Sequence, residues 1–118
     1  MPHIDSTKFG SVTIDGKIYK QVLVIGDFVE ERNEARLDEL FGTTHRIGDW
    51  EVEKLLGNKP EIVVVGTGQN GVLEVTDDVR KKLSEVELIE LETPKAIEKY
   101  NKLFEGGRKV NALIHTTC

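Results

Sequence analysis

The sequence predicts a mixed α/β fold, and three observations carry that prediction. Short β-branched runs alternate with stretches of helical spacing, an Asp-Gly turn joins two strand-like runs near the start, and 118 residues supply one hydrophobic core rather than two. The expected architecture is a single compact domain over residues 1–118, a mixed β-sheet with helices packed on it and an N-terminal β-hairpin.

The hairpin is expected from Phe9 to Ile14 and Ile18 to Ile25, joined at Asp15-Gly16, a dipeptide that tolerates the positive φ angles of a tight turn. Val22-Leu23-Val24-Ile25 is apolar on both faces, so this strand is expected to be central and covered on both sides. Phe28 to Arg32 reads as a short strand, and Leu37, Leu40 and Phe41 give Glu34 to Phe41 helical spacing inside a highly charged stretch, while the conformation of residues 26–47 as a whole is left open. Asp49 is expected to cap a helix through Leu56, with Gly57 as its stop. Ile62 to Val65, bounded by Pro60 and Gly66, has the pattern of a strand buried on both faces.

Thr76 is placed to cap a further helix with Val79 and Leu83 on one face, and Asp77 and Asp78 complement the positive end of its dipole. Val86 to Leu91 returns as a strand. Thr93-Pro94 opens the last helix, with Thr as cap and Pro in the first turn; Ala96, Ile97, Tyr100, Leu103 and Phe104 form its buried stripe, and Gly106-Gly107 ends it. Val110 to His115 is the final strand.

Composition excludes several classes of function. Sixteen Lys and Arg against twenty-one Asp and Glu give a net charge of −5, and the longest basic block is Arg80-Lys81-Lys82, so neither nucleic acid nor anionic lipid is an expected partner. No apolar run reaches the length of a membrane helix, and the first residues lack both a basic start and an apolar signal core, so a cytoplasmic location is expected. The single Cys118 fits a reducing compartment, and the balance of many Lys against one Cys and one Met leans towards a heat-adapted composition.

The motif that invites a chemical reading is Gly66-Thr67-Gly68-Gln69-Asn70-Gly71, a G-x-G-x-x-G string after a strand. A dinucleotide site needs a helix starting at the third glycine, whereas the next helix is expected near Thr76. A phosphate loop needs Lys and Ser or Thr after the last glycine, where Val72 and Leu73 stand. No cofactor is therefore expected. What remains is a glycine-rich loop whose backbone N–H groups would hold a small anion or a carbonyl oxygen, with Thr67 adding a hydroxyl. If the loop approaches His45, the two would form a polar pocket with a group that titrates near neutrality. The candidate ligand-binding residues are thus His45, Gly66, Thr67, Gly68 and Gly71.

His115 and Cys118 lie three apart in a strand and tail, which places them on opposite faces, so no metal site is expected. His115 reads as a hydrogen-bonded strand residue. Asn101 is expected to cap or hydrogen-bond the following turn, and Arg108 to pair with a surface carboxylate.

Three segments in order, GTTH from Gly42, PEIVVVGTGQNG from Pro60, and TPKAIEKYNKLFEGGRKVNALIHTTC from Thr93, resemble the Mth938-like domain family, over nearly the whole chain from Phe9. The resemblance implies a compact α/β domain around a mixed sheet. It implies no catalytic residues, and its eukaryotic relatives include a mitochondrial assembly factor for respiratory complex I and a protein associated with adipocyte differentiation. Two functional expectations follow: a non-catalytic protein-binding or assembly-type module, or alternatively a small-molecule or anion-binding protein or enzyme using the Gly66 to Gly71 loop. Another protein is the partner expected under the first, and the oligomeric state is left open.

Overall fold

In the computed structural model, which describes residues 2–118, the Asp15-Gly16 turn is where the sequence places it. Both residues have positive φ, 48° and 80°, and they join β2 (Ser11–Ile14) to β3 (Lys17–Tyr19). The hairpin is shorter than expected at both ends. Phe9-Gly10 belongs to a second tight turn leading back from β1 (Ile4–Lys8), a strand whose mixed polar composition hid it, and the chain breaks at Lys20-Gln21 before β4 (Val22–Ile25). β1, β2 and β3 form a small antiparallel sheet in that order.

β4 joins a second sheet. It pairs through a Gly26-Asp27 turn with β5 (Phe28–Glu31), on its other side with β8 (Val110–His115), and the sheet continues with β6 (Ile62–Thr67) and β7 (Glu87–Leu91). The strand order is β5-β4-β8-β6-β7, with β6 parallel to both β7 and β8 and β4 antiparallel to its neighbours. Four helices complete the described fold: α1 (Glu34–Phe41), α2 (Asp49–Leu55), α3 (Asp77–Lys82) and α4 (Thr93–Glu105).

Period-2 alternation in the continuous apolar strands divides the core in two. Val22, Val24, Ile62, Val64, Ala112 and Ile114 face the small sheet and α4, where they meet Ile4, Val12, Ile14, Ala96 and Tyr100. Leu23, Val63, Val65 and Leu113 face the other way, towards α2 and α3, and meet Val52, Leu55, Val79 and Leu83.

Two helix starts differ from the expectation. Asp49 is the first helical residue of α2 and not its cap; the capping carboxylate is that of Glu51, which accepts from the Gly48 N–H at 3.0 Å. Thr93 likewise lies inside α4, with Glu92 at the cap position, because its hydroxyl is engaged elsewhere. Thr76 does cap α3, accepting from Val79 N–H. Asn101 makes a longer-range contact than expected: its side chain accepts from the Ile4 N–H at 3.1 Å and donates to the Ile4 carbonyl at 2.8 Å, tying α4 to β1. Arg108 stands beside Glu61, at 3.5 Å.

Candidate functional site

The glycine loop leaves the carboxyl end of β6, and the register of β6 on β8 sets Thr67 opposite His115. The residues after His115 do not leave the body of the protein. They run across the loop, and the loop's amides close on them: Gln69 N–H donates to the Thr117 carbonyl at 2.9 Å, and Asn70 and Val72 N–H donate to the Cys118 carbonyl at 2.8 and 3.2 Å. The other side of the same tail is held by the small sheet, through Gly10 N–H to the Thr116 carbonyl and the Thr116 hydroxyl to the Lys20 carbonyl. Gln69 Nε2 donates both to Thr7 and to the Thr116 carbonyl, so one side chain stitches loop, tail and small sheet together.

Two glycines permit this closeness by their lack of a side chain. A Cβ at Gly66 would meet the Thr93 hydroxyl at 3.0 Å and Ala96 at 3.4 Å, so this glycine lets α4 lie close on β6. Gly68, at φ +108°, faces the tail so closely that a Cβ would lie 2.5 Å from the Cys118 backbone. Gly68 also exchanges bonds with the start of α4: its N–H donates to Thr93 Oγ1 and its carbonyl accepts from Thr93 N–H, both at 2.9 Å. The Thr93 hydroxyl in turn donates to the His115 carbonyl at 2.5 Å, which is why Thr93 is not free to cap the helix. Gly71 closes the loop with its N–H on the Gly68 carbonyl, five residues before the Thr76 cap of α3.

Thr67 donates its hydroxyl to the Leu91 carbonyl, and with Asn70 and Gly71 it lines a shallow groove of about 790 Å³ whose charged members include Arg80, Glu90 and Lys95. His45 is not among the residues lining that groove. The structure brings it to the exit of the loop, where its carbonyl accepts from Glu74 N–H at 2.9 Å, but its ring turns inward and meets the His115 ring edge to face, with centroids 5.1 Å apart. The five sequence candidates thus gather at one end of the sheet without converging on a single cavity.

Behind His45 lies a buried polar cluster that motif reading missed. Arg32, at the end of β5, engages all five guanidinium donors: Nε and Nη2 on the two Glu51 oxygens at 2.7 and 2.8 Å, Nη1 on Gln21 Oε1 and the Thr44 carbonyl, and Nη2 also on the Arg46 carbonyl. Both charged side chains are fully buried. The Gln21 oxygen accepts a second bond from His115 Nδ1, which fixes the proton on that nitrogen and leaves Nε2 to accept from the Thr117 hydroxyl at 3.1 Å. Burial, and then the positive charge of Arg32, push the His115 imidazole down to about 4, so it is neutral at physiological pH. The cluster joins the start of β4, the end of β5, the Thr44–Arg46 segment, the first turn of α2 and the end of β8.

The sequence from residue 4 to 115 matches the family described as proteins of unknown function (DUF498/DUF598). This chain belongs to that family. Among solved structures, the conserved hypothetical protein PH1505 of Pyrococcus horikoshii OT3 is 31% identical, with 98% of each chain covered and a TM-score of 0.87. MT938 is 33% identical over 100% of both chains, with a TM-score of 0.81. A Mth938-like domain from Bordetella pertussis shares the fold at 18% identity and a TM-score of 0.62, with 97% of this chain and 85% of that one covered. The resemblance seen in the three sequence segments is therefore family membership, and the Mth938-like fold is the one described above. Among the described residues no helix is long and apolar enough to cross a membrane.

Proposed function

We propose that this Mth938-like domain is a non-catalytic module that docks on another protein, with the outer edge of β5 as its contact. The observation that carries this reading is Phe28. It is 80% exposed on the strand that ends the five-stranded sheet, where, among the described residues, one row of backbone N–H and C=O groups has no neighbouring strand. Glu30 and Glu31 on the same strand add charge that opposes indiscriminate edge pairing and selects among partners. The polar chemistry of the interior supports the same reading, since Arg32 is engaged in holding the fold and the loop amides are taken up by the tail.

The test places a photo-crosslinking residue at position 30, exposed on the same strand, and recovers cross-linked protein from the native host both with Phe28 kept and with Phe28→Lys. A single dominant adduct that disappears with Phe28→Lys, at unchanged thermal stability, is the expected result. No adduct, or the same adduct set after the substitution, would overturn the assignment.

A further inference from the structure

At the amino ends of β6 and β8, opposite the glycine loop, the Gly26-Asp27 turn and the links that precede β6 and β8 enclose a cleft of about 260 Å³. Its floor is apolar, with the half-buried Phe104 and the buried Val110. Its frame is fixed by Asn111, which is 2% exposed. Asn111 accepts from Gly26 N–H at 2.9 Å and donates to the carbonyls of Leu55 and Gly57, both at 2.8 Å, so turn and link are locked together. Asn58 packs against the same turn, where a Cβ on Gly26 would lie 2.6 Å from its amide nitrogen.

The backbone of this frame is strained. Asn58 and Lys59 both adopt left-handed φ, 60° and 47°, and Lys59 precedes Pro60, whose ring favours extended backbone in the residue before it. Such strain persists where the surroundings over-determine it, and it gathers at ligand clamps.

Charges of both signs line the cleft without neutralising one another. Asp27 comes from the β4–β5 turn, Arg108 and Lys109 from the α4–β8 link. Among the described residues Asp27 and Lys109 enter no ion pair, and Arg108 has Glu61 alone, at 3.5 Å. A purely anionic molecule would meet Asp27, and a purely cationic one would meet Arg108 and Lys109, so both are disfavoured. We propose that the cleft binds a small zwitterion on an apolar body, namely an amino acid with an apolar side chain. Its ammonium group goes to Asp27, its carboxylate to Arg108 and Lys109, and its side chain against Phe104. Binding in the cleft needs no partner at β5, whose first residue Phe28 directly follows Asp27.

The experiment is a ¹⁵N NMR titration with three probes: L-phenylalanine, 3-phenylpropanoate, which lacks the ammonium group, and 2-phenylethylamine, which lacks the carboxylate. L-Phenylalanine at millimolar concentration is expected to shift the amides of Gly26, Asp27 and Gly107 to Asn111, and to bind about tenfold more tightly than either half-ligand, the margin of one charge-assisted hydrogen bond. Asp27→Asn should abolish the margin over 3-phenylpropanoate and Lys109→Met should narrow the margin over the amine, both on exposed side chains whose variants keep a dispersed spectrum. No shift in the cleft with any probe, or equal shifts with all three, would overturn the proposal.

Discussion

Arg32 and Glu51 meet as a two-pronged ion pair in the interior, Nε to Oε2 at 2.7 Å and Nη2 to Oε1 at 2.8 Å, with neither side chain exposed. The pair stands where four segments must be held in register, and its remaining bonds satisfy the carbonyls of Thr44 and Arg46 and the Gly48 amide. Breaking such a pair from one side leaves a buried charge uncompensated, which costs far more than removing both members. Glu51→Leu is therefore expected to lose about 3–5 kcal/mol of stability. The double variant Arg32→Met, Glu51→Leu should be no less stable than that single one, although it also gives up the bonds to Thr44 and Arg46. Urea denaturation of the two variants checks this, and a double variant clearly less stable than Glu51→Leu would contradict it.

His115 gives the fold a pH dependence of known sign. Its folded-state value of about 4 lies below the 6.5 of an unperturbed imidazole, so between these values the unfolded chain takes up a proton that the folded one does not. Stability from this group is complete above pH 6.5, declines as pH falls towards 4 and changes no further below that; the total is of order 3 kcal/mol. The measurement is unfolding free energy against pH for the protein and for His115→Gln. Carboxylates contribute equally to both, so the difference between the two curves should carry the slope between pH 6.5 and 4 and flatten outside it.

Thr93 makes a second buried junction testable. Its hydroxyl stands between the Gly68 N–H and the His115 carbonyl. Thr93→Val keeps the shape and orphans both groups, each at a cost of about 1–3 kcal/mol. The Gly68 amide should exchange with solvent markedly faster in this variant, and unchanged exchange at that amide would show the bond to be dispensable.

The elements were legible in the sequence where periodicity and turn chemistry agree. Ile62 to Val65, Val110 to His115 and the Asp15-Gly16 turn needed no tertiary information, whereas Glu34 to Phe41 showed helical spacing in a highly charged stretch that left the path of residues 26–47 open. β1 was not legible, because Ile4–Lys8 buries little more than Ile4 and takes its order from Val12, Ile14 and the Asn101 side chain. The two misplaced caps differ in cause: Glu51 caps α2 through the Gly48 amide three residues before it, a local spacing, whereas Thr93 satisfies the Gly68 amide and the His115 carbonyl, groups that only the fold brings near. The candidate site divides the same way. The glycines were visible as a motif, but their occupant was not, since the tail reaches the loop only through parallel pairing of β8 with β6. The Arg32 cluster draws on Gln21, Arg32, Glu51 and His115, four residues with no motif spacing, and Arg32 follows Glu30 and Glu31 in a charged stretch that gives no sign of burial.

The tail's hold on the loop yields the last prediction. Gly68 and Gly107 both have left-handed φ, +108° and +79°, but a Cβ at Gly107 meets nothing within 4 Å, whereas one at Gly68 would lie 2.5 Å from the Cys118 backbone. Gly107→Ala therefore isolates the backbone cost, about 1–2 kcal/mol. Gly68→Ala adds the displacement of Thr117 and Cys118 from the amides of Gln69, Asn70 and Val72, and should exceed the first by about 1–3 kcal/mol, the usual cost of forcing extra volume into a packed site. Hydrogen exchange separates the two effects: those three amides should lose protection in Gly68→Ala and keep it in Gly107→Ala. Equal stability losses with protected amides in both would show that the tail yields without releasing the loop, so that the Cys118 carbonyl would not be what holds the loop's shape.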